Sequence, residues 1–210
     1  MSVSHHPADA ILADYASGGL RPGFDLVVAA HLESCPGCRR HVRLFESAAG
    51  AMLEGLEPSP LPDNALSHLM GRIEREPSAR PTRAAPRDMR PLVERLPVKG
   101  RRWLAPGLWV QPLDIPRSGE NRAYFLRVPG GMRGLEHGHT GSEFTTVVKG
   151  ALRDGDVTLR AGDFCETGAD DHHQPESLAD DGGCLCLIAT EGRLQTRDLV
   201  GAIVRAVTGV

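Results

Sequence analysis

His31, Cys35 and Cys38, in the pattern His-x-x-x-Cys-x-x-Cys, have the types and spacing of a metal cage. Residues four apart on a helix share a face, so His31 and Cys35 can approach one ion together. Pro36-Gly37 breaks that helix, and Pro suits the first turn of the next. Cys38, at the start of that next helix, reaches the same point, where the helix N-terminus also favours a thiolate. Zinc takes four nitrogen or sulfur ligands in a tetrahedron, so a further His or Cys is expected from another element. His5 and His6, just ahead of the first helix, are the candidates, whereas His41 projects away from Cys38. A thioredoxin-type redox pair is not expected, because no strand precedes the Cys-x-x-Cys.

A second constellation lies beyond the middle of the chain: Gly131-x5-His137-x-His139-x3-Glu143-x6-Gly150. Residues two apart on a strand point the same way, so His137 and His139 face one interior, and Glu143 faces the same point from the next strand segment. The glycines suit the hairpin turns between those strands. Gly155 and Gly162-Asp163 follow, then His172-His173-Gln174-Pro175. The two adjacent histidines face opposite sides of a strand, and His173, directly before Gln-Pro, is taken as the inward one. Three imidazoles and a carboxylate can hold zinc in a closed tetrahedron, or another divalent transition metal such as iron, manganese or nickel with open positions. The spacing resembles the first motif of the cupins at every defined position. The second motif departs from the pattern at Arg160, where a proline is expected.

The elements that must position these groups change character along the chain. Ala8, Ile11, Leu12 and Tyr15 fall at helical spacing, and Gly18-Gly19 end the run. Phe24, Val27, Val28, His31, Leu32 and Cys35 form a second stripe, and Val42, Phe45, Ala49 and Met52 a third. Leu66, Leu69, Met70 and Ile73 form a fourth, with Asp63 the expected N-cap and Pro77 the stop. From Ser78 to about Pro97 the chain is rich in Pro and Arg and reads as an extended linker. Beyond it come short, alternating or β-branched runs: Leu108-Pro112, Ala123-Val128, Glu143-Val148, Val157-Leu159 and Cys184-Ala189. The tail from Asp198 returns to helical spacing. The expected fold has two domains: an all-α helical bundle with a structural zinc over 1–77, and an all-β cupin, a small barrel or jelly roll, over 101–210. A linker over 78–100 joins them. Four short helices bury little, so the bundle needs the roughly 10 kcal/mol that a structural zinc contributes.

Net charge −3 over 210 residues argues against direct nucleic-acid binding. Residues 1–76 carry 10 Asp/Glu against 6 Lys/Arg, an acidic front that suits a basic protein partner. No run is apolar enough to span a membrane and no signal-peptide pattern opens the chain, so the cytoplasm is the expected location. Five cysteines there point to metal or redox chemistry before disulfides.

An upstream histidine followed by His31, Cys35 and Cys38 across a helix-helix junction resembles the zinc-binding anti-sigma domain. That domain followed by a cupin, over almost the whole chain, resembles the anti-sigma factors of the ChrR type. The resemblance implies His6, His31, Cys35 and Cys38 as zinc ligands, and His137, His139, Glu143 and His173 as ligands in the cupin. It also implies a one-to-one complex with an extracytoplasmic-function sigma factor. Release is expected under oxidative stress of the singlet-oxygen type, with the cupin required. No enzymatic activity is expected. The rival reading from another class is a cupin dioxygenase carrying a zinc-stapled interaction domain.

Overall fold

The structure, a computed structural model, describes residues 3–75, 91–116, 119–169, 171–179, 182–192 and 194–195. Most of the expected linker and the helical tail from Asp198 lie outside them. Residues 3–8 are extended. Helices α1 (Asp9–Ser17), α2 (Pro22–Ser34), α3 (Pro36–Glu54) and α4 (Ala65–Arg75) follow, and a single turn, α5 (Leu92–Arg95), precedes the strands.

The helix ends obey local chemistry. Gly18 closes α1 in the left-handed conformation. Pro22 and Pro36 open α2 and α3, where a missing N–H costs nothing. Cys35 is both the end of α2 and the N-cap of α3, its Sγ accepting the Cys38 N–H at 3.4 Å. The start of α4 differs from expectation. Asn64 occupies the cap position in place of Asp63, its carbonyl accepting the His68 N–H at 2.9 Å.

Twelve short strands follow: β1 (Arg102–Ala105), β2 (Leu108–Pro112), β3 (Arg122–Val128), β4 (His137–His139), β5 (Glu143–Lys149), β6 (Ala151–Asp154), β7 (Val157–Arg160), β8 (Phe164–Thr167), β9 (His172–His173), β10 (Glu176–Ser177), β11 (Cys184–Thr190) and β12 (Leu194–Gln195). They form a six-stranded sheet, β1-β2-β3-β11-β5-β8, and two of three strands, β10-β6-β7 and β12-β4-β9, all antiparallel. This is a cupin-like β fold. Gly150 turns β5 into β6 at φ +78°, and a Cβ there would lie 2.1 Å from the Gly183 carbonyl oxygen, so only glycine fits.

A self-contained all-α bundle does not form. The extended segment is part of the N-terminal region, and Phe164 of β8 donates its N–H to the His5 carbonyl at 3.0 Å. The stripe on α2 turns toward the sheet: Phe24, Val27 and Val28 share one core with Phe125, Phe144, Phe164 and Leu187. The Phe24 and Phe144 rings lie 4.3 Å apart, and Thr146 donates to the Val27 carbonyl at 2.9 Å. A sheet exposes two apolar faces when β-branched and aromatic residues alternate with aliphatic ones, and α2 covers the outer one. The inner face forms a second core with Val110, Tyr124, Leu152, Leu159 and Ile188. The apolar stripe of α4 stays in solvent, with Leu66 72% and Ile73 59% exposed.

Candidate metal centres

The first centre assembles four elements at one point. His6 comes from the extended segment, His31 from the last turn of α2, Cys35 from the junction and Cys38 from the first turn of α3. Their ligand atoms all lie within 4.8 Å of one another. His6 Nδ1 stands 3.4 Å from Cys35 Sγ and 3.5 Å from Cys38 Sγ, and His31 Nε2 is 3.3 Å from Cys38 Sγ. His31 is fully buried, and its Nδ1–H donates to the Gly162 carbonyl at 2.8 Å. That bond fixes the tautomer and leaves the Nε2 lone pair facing the thiols, the arrangement in which imidazole binds a metal. Burial, then the neighbouring Cys35, pushes the Cys38 thiol up to about 12, and burial lowers His31. Without an ion Cys38 therefore keeps its proton and His31 stays neutral, and a soft divalent cation would displace that thiol proton and satisfy all four donors. The donor set fits such an ion.

Adjacent residues of an extended chain face opposite ways, and this separates His5 from His6. The His5 ring turns to Asp163, its Nδ1 3.4 Å from Oδ2. His41 is exposed and pairs with Asp9 at 3.1 Å, outside the cluster.

The second centre sits inside the barrel. His137 and His139 come from β4, Glu143 from the start of β5 and His173 from β9, with ligand atoms again within 4.8 Å of one another. His137 Nδ1–H donates to the Leu135 carbonyl at 2.7 Å, and His173 Nδ1–H to the Asp154 carboxylate at 2.6 Å. Both rings thus present bare Nε2 lone pairs, yet these atoms lie 3.0 Å apart, and His139 Nε2 is 3.3 Å from His173 Nε2. Lone pairs aimed at each other in a buried site repel, and a cation between them removes the conflict. His172 is exposed on the opposite side of β9.

Burial pushes the Glu143 carboxyl up to about 7, and pushes His139 down to about 4, helped by the other two histidines. Burial pulls His173 down as well, but Asp154 outweighs it and the net shift is upward. In the metal-free barrel, Glu143 therefore holds a proton below about 7 that an incoming ion must displace. We expect metal affinity at this centre to fall about tenfold for each pH unit below about 7, and to level off above it. Competition against a chelating dye across that range measures this, and a flat profile contradicts it.

The remaining cysteines do not join either cluster. Cys184 and Cys186 are buried on one face of β11, Cys165 is half-buried on β8, and all five cysteines are free. Trp103 is 60% exposed, while Trp109 is half-buried under the Arg101 guanidinium, 4.0 Å from its ring.

One interaction at the first centre has no counterpart in the expectations above. Asp163, between β7 and β8, is 1% exposed and accepts the backbone N–H groups of Ser4 at 2.7 Å, His5 at 3.1 Å and Arg160 at 2.8 Å. Gly162 beside it, at φ +94°, lets Val3 and Ser34 approach: a Cβ there would stand 2.9 Å from Val3 Cγ2 and 3.0 Å from Ser34 Cβ. The Gly-Asp turn of the barrel thus grips both the segment carrying His6 and the ring of His31. In sequence the pair reads as part of the second cupin motif, with no sign of this grip.

No family model matches the chain. It is 34% identical over 211 residues to the anti-sigma-E factor ChrR of Cereibacter sphaeroides, covering 98% of each protein. Among solved structures it is similar to a chain of the crystal structure of Rhodobacter sphaeroides SigE in complex with the anti-sigma ChrR. That match has 34% identity and a TM-score of 0.73 over 90% of this chain and 100% of that one. An RmlC-like cupin from Ralstonia eutropha JMP134 is 23% identical, covering 48% of this chain and 66% of its own, with a TM-score of 0.42. A regulatory family, not an enzymatic one, stands at the end of the two full-length matches, and the dioxygenase reading is set aside on that ground. With a relative this similar over nearly its whole length, the chain belongs to the ChrR family of anti-sigma factors.

Proposed function

We propose that this protein retains an extracytoplasmic-function sigma factor in a one-to-one complex in the cytoplasm. In this reading 1–77 form the retaining part and 101–210 the sensing cupin, with 78–100 as linker. His6, His31, Cys35 and Cys38 hold a structural zinc. His137, His139, Glu143 and His173 hold zinc or another divalent transition metal. Release follows oxidative stress of the singlet-oxygen type and requires the barrel. Zinc is favoured at the first centre because two thiolates and two imidazoles are its usual structural set.

The observation that carries the reading, beside family membership, is an apolar surface left uncovered among the described residues. Leu66, Leu69, Met70 and Ile73 recur at i, i+3, i+4 and i+7 along α4 and are all exposed, as are Met52 and Leu53 at the end of α3. A helix with an open stripe of this spacing is built to lie in a partner's groove. The acidic balance of the same region suits a partner that is basic because it binds DNA. No helix among the described residues is long and apolar enough to cross a membrane.

Leu66→Asp together with Leu69→Asp tests this. Both side chains are exposed, so helicity and metal content are expected to stay unchanged, while sigma factor affinity falls at least about 100-fold. Undiminished capture of the sigma factor by the double variant contradicts the assignment of this surface.

A further inference from the structure

The barrel holds a cavity of about 430 Å³, partly open to solvent and of a size typical of small-molecule sites. Most of its wall is aliphatic, including Leu104, Val110, Leu126, Leu152, Leu159 and Ile188. Protein interiors pack to the density of organic crystals, so a space of this size between side chains bulky enough to close it is not a packing remainder. At one side the wall changes to His137, Glu143 and His173 of the second centre. A molecule in the cavity meets hydrocarbon over most of its surface and a metal site at one end.

Charge decides the head group. A divalent ion brings two positive charges. Glu143 supplies one negative charge, and Asp154, hydrogen-bonded to His173 and also on the cavity wall, supplies a second. Glu176, which also borders the cavity, pairs with Arg153 at 2.9 Å and with Arg133 at 3.6 Å. The ion and the two carboxylates Glu143 and Asp154 sum to zero. An anionic head group would then lose its hydration with no net charge to compensate it, whereas a neutral oxygen donor keeps a place on the ion at little cost.

We propose that the cavity binds a neutral, medium-chain aliphatic molecule with a single oxygen donor, an alcohol or ketone, whose oxygen meets the barrel metal and whose chain lies along the aliphatic wall. This rests on the barrel metal proposed above, and not on sigma factor retention. Cys165 and Thr167 of β8 also line the cavity. In the same strand Phe164 packs edge-on to His31 at 6.1 Å, and Asp163 precedes it. A ligand seated in the barrel therefore touches the strand that grips the first centre.

The test titrates the zinc-loaded, full-length protein with octanol, octanone, octanoate and octane, following thermal unfolding and displacement of an apolar fluorophore. Octanol and octanone are expected to raise the unfolding temperature by a few degrees at saturation, with octanoate and octane at least about tenfold weaker. Val110→Phe and Leu126→Phe, on different strands, each fill the cavity and are expected to abolish the shift while secondary structure and zinc content stay unchanged. Glu143→Gln, which weakens the barrel metal, is expected to bring octanol down to the level of octane. No shift with any of the four, octanoate or octane matching octanol, or a filled cavity that binds as the parent does, each overturns the proposal. Sigma factor capture on the same samples keeps the two readings apart, since failure of the cavity leaves capture intact.

Discussion

Cys38→Ser is expected to halve the metal content from two ions per chain to one and to reduce sigma factor retention at least about 100-fold. The cluster joins the extended segment, α2 and α3 through the side chains of a single site. A structural zinc contributes on the order of 10 kcal/mol of metal-binding free energy, and replacing a thiolate by a hydroxyl forfeits most of it. The helices will not all respond alike. Because α2 buries Phe24, Val27 and Val28 against the sheet, it should stay docked. By contrast, α1 and α3 pack chiefly on each other and bury few side chains: Ile11 and Leu12 on one, Cys38 and Val42 on the other. They should detach and carry α4 with them. Circular dichroism should show a partial loss of helix with the β signal retained. Normal helicity and normal sigma factor capture in a variant lacking that ion would contradict this.

The second large effect is expected at a residue that touches no metal. Asp163→Ala removes the shared acceptor of three part-buried backbone N–H groups, those of Ser4, His5 and Arg160, each of these hydrogen bonds contributing about 1 kcal/mol. Ser4 and His5 immediately precede His6, so releasing them lets that ligand swing away. Removing a partner that orients a ligand costs about 10–100-fold in metal affinity, and zinc should leave the first centre faster by that factor, although the substitution lies in the barrel. Hydrogen exchange should show Ser4 and His5 newly unprotected. Burial pushes the Asp163 carboxyl up, but the N–H groups of Arg160, Ser4 and His5 outweigh it and hold the carboxyl below the usual carboxylate range. Its contribution is therefore complete above that range and is lost only as pH falls through the lowered value. The grip is closed at neutral pH and opens in acid. Unchanged zinc release in Asp163→Ala would show that the turn is a neighbour of the first centre and not a support for it.

Local chemistry was legible before any coordinates. The helix breaks at Gly18-Gly19 and Pro36, and the strands around Ala123-Val128, Glu143-Val148 and Cys184-Ala189, fall where periodicity and turn residues put them. The eight residues expected at the two centres come together as two clusters, because spacing along one helix face or one strand face survives folding. What was not legible is which surfaces meet. The stripe Phe24, Val27, Val28, His31 announces a buried face but carries no record of its partner, which proved to be a β-sheet and not another helix. The same ambiguity governs Leu66, Leu69, Met70 and Ile73, a regular stripe that nothing among the described residues buries deeply. His5 against His6, and His172 against His173, differ only by which side of an extended strand they occupy. Register is a tertiary property, set for the first pair by Asp163 from 158 residues away. Asp63 lost the cap of α4 to Asn64, a one-residue shift that leaves the helix itself unchanged.

The most direct test of the account is capture of an extracytoplasmic-function sigma factor by the full-length protein, with metal measured on the same sample and repeated after removal of zinc by a strong chelator. The account predicts a one-to-one complex with zinc at the His-Cys centre, lost on chelation and restored when zinc is returned. Capture that persists undiminished in the zinc-free protein, or no capture by the zinc-loaded one, would contradict it.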